Sequence, residues 1–512
     1  MKKQKIHAKL LIIVIVLLAL AGCGKKIPED TLVIIADENP DNLVPILAQN
    51  FQARLVSELM YQGLTGETGR RHNEIENELA EEIIQEKGCT HRYLVKLKKN
   101  VNWHDGTLFS AKDVLYTWRA IRNPQNASPQ RGRLNAVIDS IEELDTYRLR
   151  VVFNYSIAPD DARWILSFRI IPHLYRNQKM PDNLNSGVGR QFAENPIGTG
   201  PFRFQSRNEY LAVDTSQAIK RVELQTQQDV QLRINNLIKG RADLVFNVDP
   251  EFYEELDKKQ LPSFDYTPKG FYCLVFNTDS APFSDPAVRQ AVSSALDRDL
   301  INRKIWGHSG EKYSLNGPFP RNDSGVYRGR VEAIQSYDPD IAKKRIREST
   351  YQSDPVDLLI SENMRSVGRI AASQITGMLE SIGMKVNISF VGRAFSPRIM
   401  DGRFQMALVF EHGFGRKYDH FALYHSAGNR NKSRIKDEQL DSVLLQWDNT
   451  ILSSEKLQYG KEMNERLKDL TPIAYISQPP QRGYYSRSLR DLLIMDEDAL
   501  LKTVATWRKS GK

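Results

Sequence analysis

Two groups of residues have types and spacings that could carry out chemistry. His104 directly precedes Asp105, as in an acid–base pair, but neighbouring side chains on a strand point to opposite faces, so this pair would require a turn. His412, His420 and His425 fall within one short segment, where imidazoles could bind a metal ion. A polar loop at the mouth of a cleft is the alternative interpretation of the three histidines, and we favour it.

Other catalytic motifs are incomplete. The glycines of Gly198-Thr199-Gly200 are followed by Pro201, which lacks the amide that a phosphate would need. A nucleophile elbow would require a glycine where Glu311 stands. The sequence contains neither a His-Glu-x-x-His motif nor paired cysteines at metal-binding spacing. We therefore predict that the chain is not an enzyme and has no catalytic residues, no cofactor and no metal site.

Composition indicates a globular protein of several units. The 512 residues are 41% hydrophobic and 26% charged, which excludes disordered, collagen-like and coiled-coil classes. Three cysteines are too few for a disulfide scaffold. The net charge of +8 owes half its excess to four lysines in the first nine residues. Because the remaining excess is small and no long basic run occurs, nucleic acid is not an expected partner.

The N-terminus has the pattern of an export signal. The early lysines precede an unbroken apolar run over residues 10–21, which is too short for an ordinary membrane-spanning helix. Leu20-Ala21-Gly22-Cys23 resembles the lipobox of bacterial lipoproteins, in which cleavage precedes an acylated cysteine. We predict a lipoprotein signal peptide over residues 1–22 and lipidation of Cys23. Cys89 and Cys273 are expected to be unpaired thiols.

The remaining sequence alternates between helix and strand patterns. Residues 31–36 form a β-branched apolar run that ends at a turn cluster containing Asn39, and residues 92–97 alternate as a strand does. Ser110 with Asp113 predicts a capped helix start, and Asp285-Pro286 predicts another. A helix pattern over residues 370–382 stops at Gly383 and is followed by strand patterns at 386–390 and 404–410. This alternation predicts α/β packing.

Four segments, in order, resemble one bacterial family. Residues 98–118 contain Trp-His-Asp-Gly and Ala-Lys-Asp-Val, similar to the family's F-H-D-G and A-x-D-V signature. Residues 195–202 resemble its N-P-V-G-T-G-P-Y turn, 276–298 its F-N…V-R…D-R block, and 337–342 its Y-D-P-x-x-A helix start. Jointly these matches are specific. The chain resembles the family 5 extracellular solute-binding proteins, the oligopeptide- and dipeptide-binding receptors of bacterial ABC importers.

The resemblance implies an α/β, periplasmic-binding-protein-like type II (cluster C) fold. Two α/β lobes would close on a ligand, and an extra lobe would be inserted into the first of them. The first lobe would comprise residues 27–63, 190–275 and 478–512, the second 64–189, and the third 276–477. Ligand would be enclosed between the first and third lobes by hinge closure. Under this interpretation His104 and Asp105 support the fold and are not catalytic.

The segment corresponding to the family's ligand-anchoring loop departs from the pattern. Peptide-binding relatives hold the ligand's α-amino group with an Asp, but the positions where it should fall are residues 413–415, Gly-Phe-Gly. Only Glu411 could replace it, and Arg416 and Lys417 make the loop basic. The ligand would lack a free N-terminus, be anionic, or use Glu411 in a shifted register. The predicted ligand-binding residues are Asn39, Glu411, His412, Gly413, Arg416, Asp419 and His420.

The functional prediction is a lipid-anchored substrate-binding protein of an ABC transporter. It would capture peptides or peptide-like solutes and deliver them to the permease subunits, as a monomer exported to the cell envelope. The first alternative is a receptor of the same fold for a metal chelate, glycan or opine. The second is an enzyme or a structural lipoprotein that uses the same fold.

Overall fold

The computed structural model describes residues 27–510, except 72–73, 267–269, 308–309, 320–332, 413–418, 429, 451–452 and 495–499. The predicted signal peptide and Cys23 therefore lie outside the described residues. The strands are β1 Thr31–Ala36, β2 Thr65–Glu67, β3 Ile75–Asn77, β4 Ala80–Gln85, β5 Arg92–Leu97, β6 Ile138–Asp145, β7 Arg148–Phe153, β8 Leu174–Tyr175, β9 Gln178–Lys179, β10 Phe202–Ser206, β11 Glu209–Ala212, β12 Arg221–Thr226, β13 Leu244–Val245, β14 Ser263–Tyr266, β15 Gly270–Phe276, β16 Val356–Ser361, β17 Val386–Val391, β18 Met406–His412, β19 Ile473–Ser477, β20 Gln481–Tyr485, β21 Leu489–Arg490 and β22 Arg508–Lys509.

Two of the helices begin at the capping residues that the sequence predicts. Ser110 and Asp113 form the predicted capping box. Asp285, the residue before Pro286, accepts a hydrogen bond from the Ala287 amide. The helices are α1 Phe51–Met60, α2 Ala111–Arg122, α3 Arg131–Val137, α4 Pro159–Ile165, α5 Gly187–Glu194, α6 Val230–Ile238, α7 Tyr253–Lys258, α8 Pro286–Ala295, α9 Arg298–Trp306, α10 Pro339–Glu348, α11 Arg365–Ser381, α12 Phe395–Met400, α13 Asp419–Tyr424, α14 Glu438–Asn449 and α15 Ser453–Leu470.

Two mixed sheets form the main layers. A seven-stranded sheet has the order β10-β11-β12-β1-β13-β20-β14, and a five-stranded sheet has the order β17-β16-β18-β15-β19. In the first sheet β1 runs parallel to β12 and β13, and in the second β16 runs parallel to β17 and β18. The predicted α/β class is confirmed.

The chain passes from the seven-stranded to the five-stranded sheet earlier than the sequence predicts. We expected the first lobe to extend to residue 275, but β15 pairs with β18 and β19 in the five-stranded sheet. The chain therefore crosses between Tyr266, where β14 ends, and Gly270. The second crossover lies between Ser477 and Gln481, close to the predicted boundary at 477/478. The partners of β15 are distant in sequence, so its own residues carry no signal of which sheet it joins.

A four-stranded sheet, β4-β5-β7-β6, lies within residues 64–189, where the extra lobe was predicted. One continuous hydrophobic core joins it to the seven-stranded sheet, because Leu32 and Ile34 belong to the same cluster as Val95 and Val151. The five-stranded sheet has separate cores on its two faces. The two sheets that share a core form one unit, and the five-stranded sheet forms another.

His104 has a structural role. Its Nδ1 accepts a hydrogen bond from the Gly198 amide (3.1 Å), and its Nε2–H donates to the Gly200 carbonyl (2.9 Å). Burial lowers the pKa of His104, which favours the neutral imidazole that this pattern requires. A Cβ at position 198 would lie 1.7 Å from the Met60 carbonyl oxygen, so only glycine fits there. The imidazole thus fixes a turn of the main chain.

The described residues also show the state of two cysteines and the character of the helices. Cys89 is half-buried and Cys273 is buried, and both are free thiols, as expected. Among the described residues, no helix combines the length and the apolar character needed to span a bilayer.

A buried charged cluster connects the C-terminal segment to the N-terminal half of the chain. The Glu78 carboxylate pairs with Arg169 at 2.9 Å and with Lys502, and it accepts the Gly63 amide at 2.7 Å. Nearby, the Glu58 carboxylate is 6% exposed and accepts the Leu501 amide at 2.6 Å. Burial raises the pKa of Glu58 from 4.5 to about 7, against the lowering effect of this hydrogen bond.

The raised pKa of Glu58 predicts a loss of stability as the pH rises. The folded chain retains the Glu58 proton up to about pH 7, whereas the unfolded chain loses it near 4.5. The contribution is therefore complete below pH 4.5, and roughly 3 kcal/mol of it is lost between pH 4.5 and 7.5. In urea titrations, the unfolding free energy of the parent should fall by that amount relative to that of Glu58→Gln across this window. The exposed-site control Glu81→Gln should show no such trend, and a pH-independent Glu58→Gln difference would contradict the assignment.

Candidate ligand-binding cleft

The strand directions place the carboxyl-terminal edges of the two main sheets opposite each other. In the seven-stranded sheet, β1, β12 and β13 end at the edge where β14 ends and β20 begins. In the five-stranded sheet, β16, β17 and β18 end at the edge where β15 begins and β19 ends. Both crossovers leave and enter at these edges. Open α/β sheets bind ligands at their carboxyl edges.

The loop after β1 supplies polar groups at the first edge. Asn39 Oδ1 accepts a hydrogen bond from the Thr226 hydroxyl (2.7 Å), which follows from the parallel pairing of β1 with β12. The Asp37 carboxylate accepts from the Gln52 amide at 2.5 Å. Burial, and then the charges of Asp37 and Asp41, raise the pKa of Glu38. Asn39 was predicted from sequence, and it lies at the cleft edge.

Aromatic side chains line the second edge. Tyr272 at the start of β15 pairs across the sheet with Phe410 near the end of β18, and their ring centroids are 4.8 Å apart. The Trp306 ring lies 6.2 Å from Tyr272. All three rings are half-buried. The Trp306 indole nitrogen finds no acceptor among the described residues.

Glu411 is paired with cations of its own chain. Its side chain is buried, with Oε1 accepting from Arg430 Nη2 at 2.6 Å and Nε at 3.0 Å, while Oε2 contacts Lys432. Phe271, its partner on β15, belongs to the core on the face of the sheet opposite Tyr272. Glu411 also lies close enough to Cys273 for its charge, after burial, to raise the pKa of that thiol. The carboxylate proposed as an amine anchor therefore lies inside an ion-pair cluster.

The side chains of His420 and His425 have different surroundings. The ring of His420 is buried beside Phe319 and Trp447, its Nε2–H donates to the Pro318 carbonyl, and burial lowers its pKa to about 4. His425 stacks on Phe421, and its Nδ1 accepts the Ala427 amide. His412 ends β18. Within the described ranges, no group of three or more His, Cys, Asp or Glu side chains is placed to hold a metal ion.

One arginine connects the two edges directly. Arg365, after β16, lies 3.2 Å from Asp249, after β13. Its second guanidinium nitrogen donates to the Gln228 carbonyl, after β12, at 3.2 Å. No motif in the sequence indicates Arg365, Asp249, Tyr272 or Trp306. The available signal for the cleft was the position of turn residues directly after strand patterns.

The predicted ligand-binding residues are distributed unevenly over the cleft. Asn39 lies at the first edge and His412 ends a strand at the second, whereas the side chains of Glu411 and His420 are buried in the unit of the five-stranded sheet. Asp419 begins α13. Gly413 and Arg416 lie outside the described residues, as do Phe414, Gly415 and Lys417. The ligand-binding set as a whole stays a prediction.

Solved structures share this fold over nearly the whole chain. NikZ from Campylobacter jejuni, in complex with Ni(L-His), has a TM-score of 0.81 at 21% identity and covers 94% of this chain and 100% of its own. DppA from Helicobacter pylori, a periplasmic binding protein in complex with the peptide STSA, has a TM-score of 0.79 at 20% identity, covering 94% and 98%. The predicted periplasmic-binding-protein fold is confirmed.

Sequence comparison assigns the family. Di/tripeptide-binding protein 2 from Pseudomonas aeruginosa is 24% identical over 76% of this chain and 78% of its own length. Residues 74–434 match the family described as "Bacterial extracellular solute-binding proteins, family 5 Middle". These relatives and structural neighbours are binding proteins and not enzymes. With most of its length matched, the chain belongs to the family 5 bacterial extracellular solute-binding proteins.

Proposed function

We propose that this chain is the lipid-anchored receptor of an ABC importer that captures peptides or peptide-like solutes and delivers them to the permease. The observation that carries the proposal is the cleft itself, where two carboxyl edges oppose each other across two crossovers in a chain of this family. The peptide class is supported by the relative named for di- and tripeptide binding and by the neighbour that holds a peptide.

Hinge closure would convert solute binding into a signal for the permease. The seven- and four-stranded sheets share one core, and the five-stranded sheet has its own. A solute that contacts both edges stabilises the closed arrangement by its difference in affinity for the closed and open forms. The permease would then recognise the closed form.

The recognition of an amino terminus would differ from that in peptide-binding relatives. Glu411 is held by Arg430 and Lys432, so a ligand ammonium would have to displace cations of the chain. We propose that affinity comes from the solute's main chain and from the half-buried rings of Tyr272, Trp306 and Phe410. Solutes with blocked amino termini would then bind as well as those with free ones.

Calorimetric titration tests this proposal. The protein is stripped of bound solute by denaturation and refolding, then titrated with matched peptides whose amino termini are free or acetylated. We expect binding of short peptides, with acetylation changing affinity less than about threefold. A loss of more than about tenfold on acetylation would show that a carboxylate holds the ammonium, as an anchoring Asp would. No binding of any peptide would contradict the peptide class.

A metal chelate is the second candidate ligand, because the neighbour with a TM-score of 0.81 holds a nickel–histidine complex. The same stripped protein is titrated with nickel plus L-histidine, with and without a chelator. Binding of the complex that the chelator abolishes, together with failure of the peptides, would favour this candidate.

A further inference from the structure

We infer that Arg365 is a cross-cleft closing residue: its contacts with Asp249 and Gln228 stabilise the closed arrangement without any contribution from a solute. The inference concerns the opening and closing that the proposed function requires. Its measurement needs no solute, so it succeeds or fails separately from the ligand assignment.

The contacts of Arg365 join elements that otherwise belong to different units. Nη1 lies 3.2 Å from Asp249 Oδ2, and Nη2 donates to the Gln228 carbonyl oxygen at 3.2 Å. Arg365 begins α11 beside the five-stranded sheet, whereas Asp249 and Gln228 follow strands of the seven-stranded sheet. The side chains are 32% and 18% exposed, so solvent only partly screens the pair. Opening the cleft would break both contacts together.

The main chain presents Arg365 in a fixed position. Its φ is +46°, in the left-handed region that residues with a Cβ rarely adopt. The following turn is tightly packed, because a Cβ on Gly368 would lie 2.7 Å from the Met364 Cβ. Ser366 and Val367 are buried. A constrained main chain therefore fixes the point from which the Arg365 side chain leaves the start of α11.

The partners of Arg365 on the seven-stranded sheet are held in place by a buried arginine. Arg233 is 2% exposed and donates to the carbonyls of Gln227 (3.1 Å) and Gln228 (3.3 Å). The Gln228 carbonyl thus accepts one guanidinium from each side of the cleft. Two like charges near one oxygen require nearby anions: Asp37 and then Asp249 act on Arg233, and Asp249 also pairs with Arg365. Removing Asp249 would weaken this compensation of the two arginines, which favours opening.

Single-molecule FRET measures the closed and open populations directly. Donor and acceptor dyes are attached to Lys112→Cys, on α2, and Lys461→Cys, on α15, which are exposed positions in the two units. Cys23 and the half-buried Cys89 are replaced by serine to avoid lipidation and extra labelling. The full chain is freed of solute by denaturation and refolding before measurement.

The variants isolate the cross-cleft pair. Arg365→Ala and Asp249→Asn should each lower the closed-to-open ratio by roughly two- to fivefold. The double variant should lower the closed-to-open ratio only slightly more than the stronger single variant does, because both substitutions break the same contact. Arg403→Ala is the matched control, since its pair with Asp401 is exposed and lies within one unit.

Each outcome decides the inference. A reduced ratio in both single variants, non-additive in the double variant and unchanged in Arg403→Ala, supports it. An unchanged ratio in Arg365→Ala overturns it, as does strict additivity of the two substitutions. If Arg365→Ala loses its circular dichroism spectrum, Arg365→Gln takes its place, because a neutral amide removes the charge that pairs with Asp249. The same criteria apply to that variant.

Discussion

Replacing Glu411 by glutamine should lower the unfolding free energy of the unit built on the five-stranded sheet by about 2–4 kcal/mol. The carboxylate is 2% exposed and is held by Arg430 and Lys432. Glutamine keeps the shape but removes the negative charge with which both cations pair. The partners are about one-quarter exposed, so solvent reduces the cost below that of a fully buried pair. Urea unfolding followed by tryptophan fluorescence measures the change.

A matched control and a binding assay separate a structural role from ligand anchoring. Glu465→Gln removes an exposed carboxylate on α15 and should change stability by less than about 0.5 kcal/mol. Peptide affinity of folded Glu411→Gln should stay within about threefold of the parent. Unchanged stability with a selective loss of affinity for peptides with free amino termini would show instead that Glu411 holds the ligand's ammonium.

Replacing Lys509 by methionine should lower the free energy of unfolding by about 3–5 kcal/mol. Lys509 Nζ lies 2.7 Å from Asp243 Oδ2, both side chains are only 4% exposed, and the ammonium also donates to the Thr31 carbonyl. Asp243 accepts the Val33 amide as well, so this lysine ties the C-terminal segment to β1. Burial already raises the pKa of Asp243, and loss of the cation would leave its carboxylate unpaired.

Two further variants test whether this cost comes from burial of the pair. Lys258→Met removes an exposed ion pair with Glu254 and should be nearly neutral. Adding Asp243→Asn to Lys509→Met should recover part of the loss, because the amide oxygen still accepts the Val33 amide without a buried charge. Equal thermal unfolding of Lys509→Met and Lys258→Met would contradict the account.

Much of the fold follows from local sequence patterns. Strand β5 occupies the predicted residues 92–97, and α2 begins at the predicted capping box. Helix α11 ends at Ser381, just before Gly383, which adopts a φ of +94° as expected for a helix-terminating glycine. These features depend on residues within a few positions of each other, so a single sequence contains them.

The site depends on partners that are far apart in the chain. Nothing near Glu411 indicates that Arg430 and Lys432, from beyond α13, neutralise it. Arg365 and Asp249 are separated by 116 positions, and their contact exists only because two sheets face each other. The place of β15 in the five-stranded sheet has the same cause, since β15 pairs with residues 130 to 205 positions away. The local periodicity of the sequence does not predict such long-range pairings.

Native mass spectrometry of the protein as purified, repeated after denaturation, tests the central claim most directly. If the cleft encloses peptides, the native spectrum should show adducts that denaturation releases and that fragment as short peptide sequences. Their amino termini, free or blocked, would report on the cluster around Glu411. A bare chain mass under native conditions, from a preparation that also binds no peptide in titration, would contradict the account. A single adduct lost with a chelator would contradict the peptide class.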